Sequence, residues 1–545
     1  MDYKKEIVKL LQKELKIKDI VLEIPPSNFG DYAFPCFKLE NPNEKAKELA
    51  SKIKANFLDK VEARGPYLNF FINKKYLAEN TIKQILKEKD NYGKEKEKIM
   101  VEYETPNTNK PLHLGHLRNA SIGMSISNIF EFMGNKVIRA DLFNDRGIHI
   151  CQAMLAYDKF MKNKPNKKTD HFVGDAYVLF NQKVKENSKL QEEAYEMLRK
   201  FELGDKQTIA LWKKIDSWAI NGIKETDKLF GNKFDIYFRE TEFYKKAKPL
   251  IEEGLRKKIF EKDEEGNIIT KLEPTLPNKV VQRKDGTSIY ITNDLALVPY
   301  KFSHYKIDKS IWVVASEQNL YFQQLFEIFK RLGYKWVKNC KHLSYGMVFL
   351  PEGKMKSREG KVIDADDLIE EMKQLTIKEL EKRYKLNKKE KEERALKIAL
   401  AAIKYFFLKV DIVKDIVFNP DEAISFEGDT GPYLQYSYAR ACSILKKSKK
   451  KINQFKILNL EDKEIELIKK LAEFPDVVRN SFLNYSPNVI ANYSFKLAQI
   501  FNEFYQHCKV IGSKEENQRL AIVQSFKLVM KNSLDLLGID AIEEM

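Results

Sequence analysis

The sequence predicts an α/β centre of nucleotide-binding type, preceded by a small α+β module and followed by an all-helical domain. Three observations carry this. The apolar strand IMVEYE at 99–104 runs straight into a proline-bearing loop and then a helix, the order of nucleotide-binding units. A second buried-strand run, SIWVVAS at 310–316, suits the middle of a parallel sheet. From residue 366 onward the apolar spacing is helical almost throughout.

The elements follow in order. Residues 1–20 read as an amphipathic helix, with Ile7, Leu10, Leu11, Leu15 and Ile17 as its apolar stripe. PPSNFGDY breaks it, and the module closes on the strand-like PYLNFFIN at 66–73. The lysine-rich KEKDNYGKEKEK at 87–98 reads as a linker. A helical stretch occupies about 175–230, and a strand turning into a loop is expected at SIYITND, 288–294. FEGDTGPY at 426–433 punctuates the helical part. The expected division is 1–85, an N-terminal module; 95–365, the α/β domain with a helical insertion at about 165–250; 366–425, a helical stem; and 426–545, a helical domain.

At 545 residues, with 43% hydrophobic and 32% charged residues, the chain has ample length for several folded domains. A formal charge of +17 fits either a polyanionic partner or a lysine-rich solvated surface. Cys36, Cys151, Cys340, Cys442 and Cys508 lie far apart without a CxxC pair, which argues against disulfides and zinc and for a reducing compartment. The first twenty residues are not a signal peptide, and no run of about 18 apolar residues could span a membrane. A cytoplasmic protein is expected.

Two stretches carry chemistry. In PNTNKPLHLGHLRNASIG, residues 106–123, His113 and His116 stand three apart at a helix start and share one face. Gly115 leaves that face open, and free first-turn N–H groups with the positive dipole end attract phosphate. Alone, the pair is equally open to surface histidines or half a metal site, although no HExxH pattern or third ligand accompanies it. In GKMKSREGK, residues 353–361, Lys354, Lys356, Arg358 and Lys361 form a cationic loop suited to closing over a polyphosphate. Other clusters, such as KKSKKK at 446–451, read as solvated.

Together these stretches resemble the HIGH and KMSKS motifs of class I aminoacyl-tRNA synthetases. Within that class the chain is similar to the arginyl-tRNA synthetases: VEYETPNTNKPLHLGHLRNASIG, FNDRGIHI, FDIYFRETEFY, SIYITNDLALV, VVASEQNLYFQQLFEI, KMKSREGKVIDADDL and DTGPYLQYSYARACSIL fall in that family's order, from FGDYAF near the start to the closing LLGIDAIEEM. The resemblance implies a Rossmann-type class I catalytic domain, an α+β module contacting the tRNA elbow, and an all-α anticodon-binding bundle. It implies activation of L-arginine by ATP with Mg2+, then transfer to the 3′ end of tRNA for arginine, in a monomer without structural metal or membrane attachment.

It also implies roles. His113 and His116 would contact ATP phosphates, with Gly115, Lys354, Met355 and Lys356 completing the ATP-binding and catalytic set, and His116 near the arginine. Thr105, Pro106 and Asn107 would form the amino-acid loop, Asn107 and Gln318 holding the α-amino group. Tyr290, Asp294 and Glu240 would recognise the guanidinium, which offers only donors and so calls for carboxylates and a phenolic oxygen. Read without the resemblance, Tyr290 is a core aromatic, Asp294 a helix N-cap and Glu102 a polar residue at a strand end. Phe426, Tyr433, Tyr436 and Arg440 would meet tRNA, although aromatics at that spacing fit a helical core equally well. The chain departs from the family at Ser357, where a second loop lysine belongs, and Lys110 stands in as the compensating cation. The alternatives are another class I synthetase or nucleotidyltransferase, or an RNA-binding protein on the same scaffold; the joint presence of both motifs speaks against the last.

Overall fold

The structure, a computed structural model, describes residues 3–545 apart from 27–28, 91, 285–288, 352, 355–362 and 449–454, and the backbone only of residues 350, 353 and 354. In the N-terminal module the helix Tyr3–Leu15 buries Ile7 and Leu11. It ends where Lys16 takes φ +55°, so Ile17, expected on the apolar stripe, falls beyond the helix and is exposed. Strands β1 (Tyr32–Pro35), β2 (Leu58–Arg64) and β3 (Tyr67–Ile72) form an antiparallel sheet in the order β1-β3-β2.

The centre is a five-stranded, wholly parallel sheet built from β4 (Lys98–Glu102), β5 (Lys136–Phe143) and β6 (Ile236–Arg239), joined after a small antiparallel sheet of β7 (Glu261–Lys262), β8 (Ile268–Thr270) and β9 (Lys279–Gln282) by β10 (Lys309–Ala315) and β11 (Cys340–Tyr345). Its order is β11-β10-β4-β5-β6, so the two runs expected to be buried strands stand side by side. Helices Thr169–Glu186, Lys189–Leu203 and Lys206–Phe230 lie between β5 and β6. The helical insertion therefore closes at Phe230, and β6 returns to the sheet inside the span 165–250 expected to be insertion.

Residues 289–294, expected as a strand turning into a loop, do not form a strand. A helix starts at Tyr290 and runs to Tyr305. Its β-branched residues favour a strand locally, but Ile291, Leu295 and Val298 recur at helical spacing and are all buried. Thr292 Oγ1 accepts the N–H of Ile289 at 3.0 Å and donates to the Val281 carbonyl at 2.6 Å, which seals the first turn. Burial decides against propensity.

The helix Leu114–Phe132, which begins at the histidine pair, is buried around its whole circumference, with residues 117–127 all buried. Gly123 lets it lie directly on Tyr103, since a Cβ there would come within 2.2 Å of the ring. Its outer side is closed by the far end of the chain: Ser125 Oγ donates to the Leu536 carbonyl at 2.8 Å and Asn128 Nδ2 to that of Asp535 at 2.7 Å. Helices Ala365–Arg383 and Lys388–Leu408 lead, past the single turn Pro420–Ala423, into Gly431–Ser448, Asp462–Ala472, Phe474–Asn484, Pro487–His507 and Glu516–Leu536. Because these last helices cover the histidine helix, deleting residues 425–545 should destabilise the α/β centre as well as remove the helical domain. Thermal melting of the truncated protein checks this, and an unchanged transition would show that the centre folds alone.

Candidate active site

In the sheet, β4 leads to β5 on one side while β10 leads to β11 on the other. Such a reversal opens a crevice at the carboxyl ends of the strands, where open α/β sheets take their ligands. Thr105, Pro106, Asn107, Lys110 and the histidines follow β4, Glu240 follows β6, and Gln318 closes the short turn Ser316–Gln318 after β10. Residues remote in sequence thus share one edge.

His113 caps its helix, its Nδ1 accepting the N–H of Gly115 at 3.1 Å, while His116 Nδ1 accepts the N–H of His113 at 3.0 Å. Their ring centres are 3.8 Å apart. Since each Nδ1 is an acceptor, each ring carries its hydrogen on Nε2. Burial, with the nearby Lys110 charge, pushes the pKa of His113 down to about 3, and burial with the His113 and Lys110 charges holds His116 well below the usual range. Both are neutral donors at pH 7. The backbone does not supply the phosphate site expected of it: the first-turn N–H groups of Leu114, Gly115 and His116 go to the Ile363 carbonyl, His113 Nδ1 and the His113 carbonyl. The imidazole Nε2–H groups are the donors left for an anion.

Beside them Lys110, its pKa lowered by burial, shares a cavity of about 380 Å³ with Asn107, His113, His171, Tyr177 and Asp364. The His113 donor and the Lys110 ammonium suit an anion there, with Asp175 and Asp364 as carboxylates on the same lining. The backbone of Lys354 pairs with Phe349 in a short hairpin; Met355 and Lys356 lie outside the described residues. The roots of that segment are tied to the histidine helix. Arg118, fully buried, donates to the carbonyls of Gly346 and Lys414 at 2.7 Å, Met347 at 3.0 Å and Ile412 at 3.2 Å. On the far side Ala365 N–H reaches the Leu112 carbonyl at 3.0 Å. Asp170, His171 and Asp366 form a group of metal-ligand type. Lys168 Nζ, 2.5 Å from Asp366 and 3.1 Å from Asp170, already supplies positive charge there.

Outside that cavity's lining, Tyr290 and Asp294 lie one turn apart on their helix. Asp294 is not the N-cap, a position held by Ile289; it accepts a hydrogen bond from Tyr321 Oη, and burial raises its pKa to about 6. Glu240 is 3% exposed, its Oε2 has no hydrogen-bond partner among the described residues, and burial pushes its pKa to about 8. Tyr290 is 59% exposed, its phenol within reach of the Glu240 charge.

Sequence reasoning assigned no role to the groups that hold these carboxylates. Asp145 fixes the turn before Glu240 by accepting from Arg239 Nε and Thr241 N–H, each at 2.9 Å, and from Thr241 Oγ1 at 2.7 Å. Glu102, read as a plain strand-end residue, forms a buried ion pair with Lys301 at 2.5 Å. The only sequence signal was the position of Asp145 in FNDRG and of Arg239 in FRET.

These carboxyls make a testable proton balance. A guanidinium pairs with an ionised Glu240, so below pH 8 its binding must expel a proton. Arginine affinity should then rise about tenfold per unit from pH 6 toward 8 and level off above, with steeper loss below 6 as Asp294 also protonates. Calorimetry in buffers of different ionisation heat should find about one proton released at pH 7. Glu240→Gln should abolish the release; a proton count near zero for the unaltered protein contradicts the assignment.

The loop leaving β4 is strained. Glu104 has φ +75° and Thr105 φ +49°. Such conformations cost about 1–3 kcal/mol per residue and gather where function requires them.

In the helical domain, Phe426 is buried beneath the Arg383 guanidinium at 5.0 Å. Tyr433 Oη accepts from Asn502 Nδ2 at 2.9 Å, and Arg440 lies between the rings of Tyr436 at 4.7 Å and Tyr505 at 4.9 Å. The structure gathers these four candidates around one cavity of about 260 Å³, whereas Tyr438 is core.

Among parallel-sheet folds, this topology with paired histidines at the first crossover belongs to the class I aminoacyl-tRNA synthetases. Comparison with known proteins agrees: residues 81–420 match the model of the class I (R) tRNA synthetase catalytic domain, 434–545 the DALR anticodon binding domain and 2–72 the arginyl tRNA synthetase N-terminal domain. The chain is 41% identical to the arginine–tRNA ligase of Treponema denticola, over 97% of this chain and 95% of that one. It is 40% identical to that of Borrelia hermsii, over 99% and 98%. The Thermus thermophilus arginyl-tRNA synthetase superposes with a TM-score of 0.85 at 26% identity, covering 100% of this chain and 99% of the other. The chain belongs to the arginine–tRNA ligase family.

Proposed function

We propose that the protein ligates L-arginine to the 3′ end of its tRNA, through an arginyl-adenylate formed with ATP and with release of AMP and pyrophosphate. One observation carries the choice of amino acid. Glu240 and the part-buried Asp294 lie within electrostatic reach of one another and form no ion pair among the described residues, although the charges of Arg146 and Lys301 act on them, while His113 and Lys110 line a separate cavity suited to an anion. A cationic side chain satisfies the carboxyls and a polyphosphate the cavity.

In this reading His113 and His116 donate from Nε2 to the phosphates, Gly115 keeps the face open, and Lys110 adds charge with Lys354 and Lys356 of the loop. Met355 contacts the nucleotide. Thr105, Pro106 and Asn107 carry the amino acid, Asn107 and Gln318 meeting its α-amino group, with Tyr290 flanking the guanidinium. Members of the class use ATP, typically with Mg2+, which neutralises phosphate charge when bound. Residues 1–85, 366–425 and 426–545 act as the tRNA-contacting module, the stem and the anticodon-binding domain, and Phe426, Tyr433, Tyr436 and Arg440 face the tRNA. No helix among the described residues is long and apolar enough to cross a membrane.

A charging assay with all twenty amino acids and total tRNA tests the proposal. Arginine alone should be attached; attachment of another amino acid, or of none, overturns it.

A further inference from the structure

The strained turn after β4 is held by side chains outside the lining of the His113–Lys110 cavity. Thr105 N–H bonds the Tyr103 carbonyl at 3.1 Å around Glu104 at φ +75°, the rare left-handed form of the three-residue γ-turn. A β-branched threonine follows at φ +49°, a conformation its side chain disfavours. Nothing in the local sequence supports such a turn; it contains no glycine.

Support comes from three other elements. Asn119, buried on the histidine helix, accepts the Glu104 N–H at 2.6 Å and donates to the Val313 carbonyl at 2.8 Å and to Tyr345 Oη at 3.1 Å. One amide thereby joins the ends of β4, β10 and β11 to the helix that carries the imidazoles. Asp141, fully buried on β5, accepts the Thr105 N–H at 2.9 Å. Asn144 grips the next residues, donating from Nδ2 to the Thr105 carbonyl at 3.0 Å and from its N–H to that of Pro106 at 2.9 Å. The Glu104 side chain is anchored inward, where Asn232 Nδ2 donates to it at 3.1 Å and to Asp227 at 2.9 Å.

We propose that Asn119 and Asp141 are positioning residues that lock the left-handed turn at Glu104–Thr105 and so fix where Thr105, Pro106 and Asn107 meet the amino acid. The proposal rests on assigning that loop to arginine. Released from either clamp, the turn relaxes toward ordinary backbone and carries the loop away from its contacts. The imidazoles, set by their own Nδ1 bonds, stay in place. The expected defect is selective for arginine over ATP.

Steady-state kinetics on a set of variants tests this. Asp141→Ala should raise the arginine KM about tenfold or more and leave the ATP KM within about twofold, because a displaced loop costs uniform binding of one substrate only. Asp141→Asn keeps an oxygen for the Thr105 N–H and should stay within about threefold of the unaltered enzyme. Equal damage to both substrates, an unchanged arginine KM in folded Asp141→Ala, or a loss in Asp141→Asn as large as in Asp141→Ala overturns the proposal. Failure of both Asp141→Ala and Asp141→Asn to fold would assign Asp141 to the sheet and overturns it too. Asn107→Ala separates the two ideas: if it spares the arginine KM, the loop assignment itself is wrong.

Discussion

Asp294→Asn is expected to cripple the use of arginine while leaving ATP affinity nearly unchanged. Asp294 accepts from Tyr321 Oη, and an asparagine oxygen accepts the same bond, so the substitution removes charge rather than packing. Losing one partner of a desolvated charge pair costs ~2–5 kcal/mol, or roughly 30- to several-thousand-fold in kcat/KM. A neutral amide beside Tyr321 cannot neutralise a guanidinium, and Glu240 would face it alone. If arginine kinetics stay near those of the unaltered enzyme, Asp294 serves only to seat Tyr321.

Lys110→Ala should slow adenylate formation about a hundredfold or more, with the arginine KM little changed, by analogy with removing one preorganised oxyanion donor at ~2.7–4 kcal/mol. Adenylate formation gathers negative charge on departing pyrophosphate, and Ser357 leaves the loop one cation short. The Lys110 charge lies close enough to His113 and His116 to depress both of their pKa values. Because those imidazoles are neutral, Lys110 carries the positive charge beside His113 in the cavity lining. Single-turnover kinetics decides: an unaltered chemical step means that the loop lysines suffice.

The parallel centre was legible because β4 and β10 are buried on both faces and so read as continuous apolar runs. The histidines and Lys110 were legible because one short stretch holds them. SIYITND was misread because its local preference and its buried face disagree, and only packing against the sheet shows which prevails. The phosphate site was half legible: residue types named the donors, but the helix-start amides are spent on the Ile363 carbonyl, far along the chain, and on His113 itself. Asn119, Asp141, Asp145 and Lys301 were invisible because their partners come from other strands, and an asparagine within a helical run carries no mark of the turn it clamps. Tyr321 could not be paired with Asp294 from sequence for the same reason, as they sit on separate helices.

The closure of the histidine helix by the chain's far end has a consequence for biosynthesis. Ser125 and Leu536 are separated by 411 residues. At about 5–20 residues per second, roughly 20–80 s of translation elapse between them. Throughout that interval the helix bearing His113 and His116 emerges from the ribosome with one apolar side bare. The catalytic centre therefore matures late, and the growing polypeptide carries a sticky surface that a nascent-chain chaperone would have to shield until the covering segment is made.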